Sequence, residues 1–323
     1  MNDQDDIKSI LELYNQNKLF EAKEEINKKI AKNSNSHVLY NILGAIFAGQ
    51  DQLDEAIKNY KKSIEINSDY AQAYNNLGAS QHKLNKINEA VGSYKKAISL
   101  KTDFAEAYNN LGNAFRDLDK PKEALTHLKK AIEINSEYSE AYNNLGAAYQ
   151  DLSNNEEALK NFQKAIKIKP NYNEAYNNLG MLFSDLARFD ESLNCYKKAI
   201  EIKPNYEKAY NNLGNLFNNL GRYDEASAAF NQAIKIKPDY AKAYSNLLFN
   251  LNYKTNFNPT TYLSEAKKFR AKCEPVKKNI SVSYNYEKKP KKIRLGLVSA
   301  DFGNHPGGFF TLSTLRELRK KNF

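Results

Sequence analysis

A glycine recurs every 34 residues through most of this 323-residue chain. It stands at Gly44, Gly78, Gly112, Gly146, Gly180 and Gly214. At the last five of these places it ends the sequence Ala-Tyr-Asn-Asn-Leu-Gly. A strict period of this length is typical of arrays in which similar supersecondary units stack on one another. The period therefore predicts a repeat array rather than a single globular core.

Counted from residues 37, 71, 105, 139, 173, 207 and 241, the units share residue types at equivalent positions. Position 7 is Leu, position 8 is Gly in six units, and positions 20 and 27 are mostly Ala. A proline at position 32 of three units predicts where a helix ends. In its period and small residues the pattern resembles the tetratricopeptide repeat. The resemblance implies an all-α fold, a right-handed superhelix of helical hairpins.

The first helix of each unit has a packing face. Positions 4, 7, 8 and 11 share one stripe because an α-helix turns about 100° per residue, and the third full unit places Tyr108, Leu111, Gly112 and Phe115 there. A glycine inside a helix costs roughly 0.5–1 kcal/mol relative to alanine. Its recurrence predicts that a second helix passes too close for a side chain. We expect the alanine at position 20 to face it, and the aromatic residues at position 24 to fill the space between units.

The domain organisation follows from where the pattern weakens. Residues 1–36 lose the Leu-Gly pair but keep Ala22 in register, which predicts a degenerate N-terminal capping repeat. Residues 37–253 are the repeat array. Residues 254–290 are predicted to hold a capping helix over 258–273, with an asparagine cap and a proline in its first turn, and then a basic linker.

The opposite face of the first helix carries positions 2, 6, 9 and 13, which line one concave wall in a stacked superhelix. Position 6 is asparagine in six consecutive units: Asn76, Asn110, Asn144, Asn178, Asn212 and Asn246. An amide offers both a donor and an acceptor, so this row predicts a surface that grips the backbone of an extended polypeptide. The asparagines at position 5, such as Asn75 and Asn109, are interpreted as incidental.

Position 13 adds aspartate to the same wall in three units: Asp117, Asp151 and Asp185. These carboxylates favour acceptor peptides that carry Lys, Arg or hydroxyl donors. A solvated polar surface remains the alternative for both rows. A homodimer through the repeats is compatible with the pattern, which leaves the oligomeric state open.

Charge and composition limit the partners further. The net charge of +10 is uneven, with −1 over residues 1–252 and +11 over residues 253–323. The basic cluster at 288–294 lacks interleaved aromatic residues, which argues against a nucleic-acid partner. The sequence contains no apolar run of membrane-spanning length and begins with acidic residues, so we expect no membrane contact and a cytoplasmic location. Cys195, Cys273 and four scattered histidines form no metal-binding pattern.

The segment 291–323 has a different character. Residues 293–299 have the pattern of a buried parallel strand, and a glycine-rich turn and a helical stretch over 309–321 follow. This order predicts the first strand, turn and helix of an α/β lobe. Ligands gather at the carboxyl ends of such strands, where the turn places Asp301, Asn304 and His305.

The turn belongs to a longer motif. Residues 294–306, Arg-Leu-Gly-Leu-Val-Ser-Ala-Asp-Phe-Gly-Asn-His-Pro, follow a tetratricopeptide array and closely resemble the start of the catalytic region of bacterial-type O-linked N-acetylglucosamine transferases. The asparagine row also looks like that of this family. The resemblance implies a protein glycosyltransferase of the GT-B type, which moves a sugar from UDP-N-acetylglucosamine or another nucleotide sugar to Ser or Thr. His305 matches the family's active-site histidine, in the role of general base or positioning group.

The family's donor-binding residues lie in a second lobe that has no counterpart before Phe323. We therefore expect no cofactor-binding residue in this chain and an incomplete catalytic site. Two functions of different classes follow. In the first, the array is the acceptor-recognition arm of a glycosyltransferase. In the second, the protein is a non-catalytic tetratricopeptide adaptor that binds extended peptides.

Overall fold

The computed structural model describes residues 3–32, 36–253 and 259–273. Within these ranges the chain forms sixteen α-helices and no strand. The helices follow one another as hairpins, so the all-α tetratricopeptide superhelix predicted from the repeat is confirmed. No helix in the described ranges has both the length and the apolar character that crossing a membrane requires.

Each hairpin contains a first helix, here the A helix, and a second helix, the B helix. The A helices are α1 (Asp3–Asn15), α3 (His37–Gly49), α5 (Ala71–Lys83), α7 (Ala105–Asp117), α9 (Ser139–Asp151), α11 (Asn173–Asp185), α13 (Glu207–Asn219) and α15 (Ala241–Leu251). The B helices are α2 (Leu19–Lys32), α4 (Leu53–Ile66), α6 (Ile87–Leu100), α8 (Pro121–Ile134), α10 (Asn155–Ile168), α12 (Phe189–Ile202) and α14 (Tyr223–Ile236). Helix α16 (Pro259–Cys273) follows the last A helix.

The turn inside each hairpin contains one residue with left-handed backbone. Its φ angle lies between 56° and 70° at Asn17, Asp51, Asn85, Asp119, Ser153, Ala187 and Gly221, all at position 15. Asparagine and aspartate tolerate this conformation better than most residues do. The B helices α12 and α14 end at position 30, where one extended residue precedes Pro204 or Pro238. The predicted helix end before position 32 is confirmed, and α4, α6 and α8, whose units have Ser or Thr there, end at the same position 30.

The recurring glycine lies against the side chain at position 24 of the B helix. A Cβ atom on Gly146 would lie 2.8 Å from Phe162 Cδ1 and 3.2 Å from the Ala158 carbonyl oxygen. The other five glycines would meet their position-24 side chain at 2.5–2.8 Å. The predicted close approach is therefore confirmed, but the group that excludes a Cβ is chiefly the position-24 side chain and not the position-20 alanine. The same residue also packs between units, since Tyr94 contacts the core around Leu111.

The two ends of the array depart from this arrangement. In the first hairpin, Ile10 and Ile26 occupy positions 8 and 24, and both are buried with Ala22. At the other end, α16 has the predicted bounds and packs on α15 through the rings of Tyr244 and Phe269, whose centroids are 5.9 Å apart. The predicted linker after α16 and the predicted strand, turn and helix over 291–323, with His305, lie outside the described residues.

Candidate functional site

The A helices lie side by side, since each contacts the A helix of the next unit from α1 to α15. Positions 2, 6, 9 and 13 therefore form one continuous surface, which we call the A-helix wall. The six predicted asparagines at position 6 are half-buried on this wall, and the three predicted aspartates at position 13 are exposed. Both rows make hydrogen bonds that cross from one unit to the next.

The asparagines form a ladder with a constant sequence separation of 35 residues. The Nδ2 group of each position-6 asparagine donates to the Oδ1 atom of the position-5 asparagine of the preceding unit, at 2.9–3.0 Å. The pairs are Asn76 with Asn41, Asn110 with Asn75, Asn144 with Asn109, Asn178 with Asn143, Asn212 with Asn177 and Asn246 with Asn211. All six acceptors are buried. The interpretation of position 5 as incidental was wrong, because a buried amide oxygen needs a hydrogen-bond partner.

The ladder leaves part of each position-6 amide available. One Nδ2 hydrogen goes to the neighbouring unit, and the other is not used by that bond. The Oδ1 atoms of Asn110, Asn144 and Asn246 accept no hydrogen bond from the described residues. Each of these side chains can therefore offer one donor and one acceptor in an orientation that the neighbouring unit holds.

The aspartates form a second row with the same separation of 35 residues. Each accepts a hydrogen bond from position 12 of the preceding unit: Asp117 from His82 Nε2 at 2.6 Å, Asp151 from Arg116 Nε at 2.7 Å and Asp185 from Gln150 Nε2 at 2.8 Å. An ionised carboxylate can only accept, so Nε2 of His82 carries the proton. This hydrogen bond lowers the pKa of Asp117, which stays ionised at neutral pH.

Charge on the wall changes along the array. Position 2 is Glu106, Glu140 and Glu174 in the same three units that carry the aspartates. It is Lys208 and Lys242 in the next two. One glutamate is partly compensated, since Glu140 pairs with Lys169 at 3.0 Å, whereas Glu106 accepts from the neutral amide of Asn75 at 2.9 Å. The centre of the wall is nevertheless its acidic part.

Sequence reasoning missed the position-2 glutamates and the position-12 donors. The glutamates share the period of 34 residues, so that period was the available signal. The donors are of three residue types, His82, Arg116 and Gln150. Only their contact with the next unit shows that each donates a hydrogen bond to its aspartate. The basic cluster at 288–294 and His305 lie outside the part of the chain that the structure describes.

Two family models of the tetratricopeptide repeat match the array. One matches residues 103–171, 137–205 and 172–239, and the other matches residues 44–85 and 81–119. Together they cover the chain from residue 44 to residue 239, which is more than half of its length. The chain therefore belongs to the tetratricopeptide-repeat proteins.

Solved structures agree on the fold. A chain of the APC/C hetero-tetramer Cut9–Hcn1 is similar with a TM-score of 0.66 and 16% identity, over 75% of this chain and 48% of that one. This chain thus spans about half the length of that relative. A tetratricopeptide repeat protein from Parabacteroides merdae is similar with a TM-score of 0.65 and 17% identity, over 77% and 98% of the two chains. Pseudomonas aeruginosa PilF is similar with a TM-score of 0.53 and 18% identity, over 65% and 95%. No curated protein matches the sequence.

Proposed function

We propose that the A-helix wall binds an extended polypeptide through its backbone. The observation that carries the proposal is the asparagine ladder, in which six half-exposed amides are oriented by six buried ones. A group that is already oriented loses less conformational entropy when a ligand binds. An amide also has the donor and acceptor that match a peptide group, whatever side chain the peptide carries.

The spacing of the ladder suits an extended chain. Packed helices lie about 8–10 Å apart, and an extended polypeptide advances about 3.3 Å per residue. One unit therefore corresponds to roughly three ligand residues. The acidic centre, which contains Asp117, Asp151 and Asp185, favours Lys, Arg or hydroxyl groups at this interval, while the asparagines hold the main chain.

Fluorescence anisotropy with a labelled peptide of five Ser-Gly-Lys triplets tests the proposal. We expect Asn144→Ala combined with Asn178→Ala to weaken binding about tenfold or more, because two amides that bond to the peptide main chain are removed. The matched control is Asn194→Ala combined with Asn231→Ala, which removes two exposed asparagines from the B helices α12 and α14. If both double variants bind as the wild type does, the ladder does not bind polypeptide.

A second proposal concerns the purpose of this binding. We propose that the bound polypeptide is the acceptor of a protein glycosyltransferase, with UDP-N-acetylglucosamine or another nucleotide sugar as the donor. The resemblance of residues 294–306 to the start of such a catalytic region supports this proposal, and it assigns His305 to the acceptor hydroxyl as general base or positioning group. The competing proposal is a non-catalytic adaptor, for which the ladder alone suffices.

Sugar transfer separates these two proposals. The reading frame around this sequence would be extended to its first stop codon, and the product assayed for transfer from UDP-N-acetylglucosamine to a Ser-containing peptide. The transferase proposal expects transfer that His305→Ala reduces at least about a hundredfold, while binding of the peptide is unchanged. A product that binds the peptide but transfers no sugar from any nucleotide donor favours the adaptor.

A further inference from the structure

A cavity of about 450 Å³ opens on the A-helix wall near its N-terminal end. Helices α1, α3 and α5 surround it, and its lining is mainly apolar, with Leu11, Ile42, Ala45 and Ala48 among the contributing residues. Its volume is within the range of about 300–1,000 Å³ that is usual for ligand pockets. It can therefore hold a large side chain together with part of a neighbouring residue.

The cavity exists because α3 has very small residues where α7 has polar ones. Positions 9, 12 and 13 of α3 are Ala45, Ala48 and Gly49, whereas α7 has Asn113, Arg116 and Asp117 there. Apart from the neighbouring residues and backbone of its own helix, nothing in the described part of the chain lies within 4 Å of where a Cβ atom on Gly49 would be. The pairing of positions 12 and 13 is also missing, since the Ala48 side chain has no polar group and Lys83 of the next unit is itself a donor.

The cavity also contains an unpaired polar group. Asn41 lines it and is only 7% exposed. Its Oδ1 atom accepts from Asn76, but its Nδ2 group donates to no group in the described residues. One unit further on, the corresponding Nδ2 of Asn75 donates to Glu106. The residue equivalent to Glu106 in the unit that follows Asn41 is Gln72, and its amide donates to Asn76 instead. The Nδ2 atom of Asn41 is not one of the fully buried side-chain atoms without a partner in the described residues, so it is open to the cavity, where a ligand acceptor can replace water.

Charge at the rim completes the description of the ligand. Lys83 lines the cavity, is exposed and makes no ion pair among the described residues. The site thus combines apolar walls, a hydrogen-bond donor that is open to the cavity, and a cation without an ion-pair partner among the described residues. This combination fits an apolar side chain next to a carboxylate, and it does not fit a basic side chain.

We infer that this cavity anchors an apolar residue with an adjacent acidic residue, both belonging to the polypeptide that lies on the A-helix wall. The inference rests on the proposed function. Continuity supports this occupant, because Asn76 lines the cavity and is also the first rung of the ladder. The wall therefore selects a bipartite sequence, with an acidic-apolar anchor at one end and basic residues further along.

The spacing between the two parts follows from the repeat. The anchor lies on α3 and α5, and the acidic row runs from Asp117 on α7 to Asp185 on α11. At roughly three residues per unit, the basic residues should stand about 6–12 residues from the anchor. Either chain direction is compatible with the site, so both orders of the peptide are tested.

The experiment compares labelled peptides on the full chain. The basic probe contains five Ser-Gly-Lys triplets, and the anchored probes add Leu-Phe-Asp at the N-terminal or the C-terminal end. We expect one anchored probe to bind at least about tenfold more tightly than the basic probe. Gly49→Leu, which fills the cavity, should abolish this gain and leave the basic probe unaffected. Gly92→Leu is the matched control, because the position of its Cβ on α6 is equally open and exposed.

Lys83→Gln supplies an independent test on an exposed residue that the fold does not need. It should weaken the Asp-containing anchor about threefold and leave a Leu-Phe-Asn anchor unchanged. If the basic probe binds but neither anchored probe gains affinity, the inference about the cavity is wrong and the proposed function stands. If none of the probes binds, the proposed function and the inference both fail.

Discussion

The contact inside a unit is apolar, whereas the seam between successive A helices on the A-helix wall is polar. Inside a unit, a backbone without a side chain lies against a buried ring, as Gly146 does against Phe162. Along the seam, polar side chains exchange hydrogen bonds at a separation of 35 residues. The apolar contact tolerates no extra atom, whereas the polar seam keeps unused donors and acceptors. The comparison indicates that stability depends mainly on the first region and binding on the second.

The first hairpin sharpens the comparison. There Ile10 and Ile26 replace the glycine and the ring and are still buried. The intra-unit contact therefore has more than one solution, provided that the two side chains change together. The asparagine ladder, in contrast, uses the same pair of residues from Asn41 to Asn246, because every step is a hydrogen bond between two asparagine amides.

The largest effect is expected from Gly146→Leu. The new side chain collides with Phe162 and with the Ala158 carbonyl, so we expect a loss on the order of 1–3 kcal/mol or more of stability. Thermal unfolding followed by circular dichroism measures the change. The control is Gly92→Leu, whose Cβ position is unobstructed. Equal melting temperatures for the two variants would mean that the intra-unit contact is not what limits stability.

The seam is tested by a double-mutant cycle with Asn109→Ala and Asn144→Ala. These two residues share one hydrogen bond of 2.9 Å, so we expect a coupling energy of about 0.5–1.5 kcal/mol in the free energy of unfolding. The control cycle joins Asn109→Ala with Asn178→Ala, which share no hydrogen bond. Coupling of the same size in both cycles would contradict a ladder of discrete steps.

Asp151→Asn is expected to reduce stability less than the preceding variants do, and to weaken peptide binding. Its carboxylate is 40% exposed and pairs with Arg116, and exposed pairs contribute only about 0–1 kcal/mol. Affinity for the Ser-Gly-Lys peptide should fall severalfold at low salt and less at high salt. Glu133→Gln on α8 removes one charge elsewhere and is the control. A larger loss of stability than of affinity would assign the aspartate row to the fold alone.

The smallest effect concerns pH. His127 stacks on Phe115 with ring centroids 5.3 Å apart, and burial, with Lys95 nearby, lowers the pKa of His127. Its neutral form is favoured in the fold, so this stabilisation is complete above the unfolded pKa near 6.5 and is lost as pH falls below it. His127→Asn introduces the residue found at the same position in two other units, Asn59 and Asn161. We expect it to flatten the change in melting temperature between pH 7.5 and pH 5. An unchanged slope would contradict this role.

Most of the fold was predictable because the same local sequence signals recur in every unit of the repeat. The period, the proline at position 32 and the glycine at position 8 locate the hairpins, and the bounds of α16 follow from its capping residues. The partner of the glycine was predicted less well. A helical period shows which face is apolar, but it does not show whether a ring or an alanine on the second helix fills the gap.

For the candidate site, the sequence predicted which helix face carries the residues but not which residues they bond to. The residues at position 6 and position 13 lie on the A-helix wall, as their angular spacing indicates, yet their mutual partners at position 5 and position 12 were not foreseen. A hydrogen bond between units depends on the offset with which two A helices pack. Neither helix carries that offset in its own sequence pattern.

By itself, the sequence determined the repeat, the two helices of each unit, and the face that carries asparagine and aspartate, because these properties depend on local spacing. The tertiary structure alone decided that the Nδ2 group of Asn41 has no partner among the described residues, that Ala45, Ala48 and Gly49 open a cavity, and that each row is hydrogen-bonded to the next unit. These properties depend on which residues of different units come together, either within hydrogen-bond distance of about 3 Å or around a gap, and only packing sets such distances.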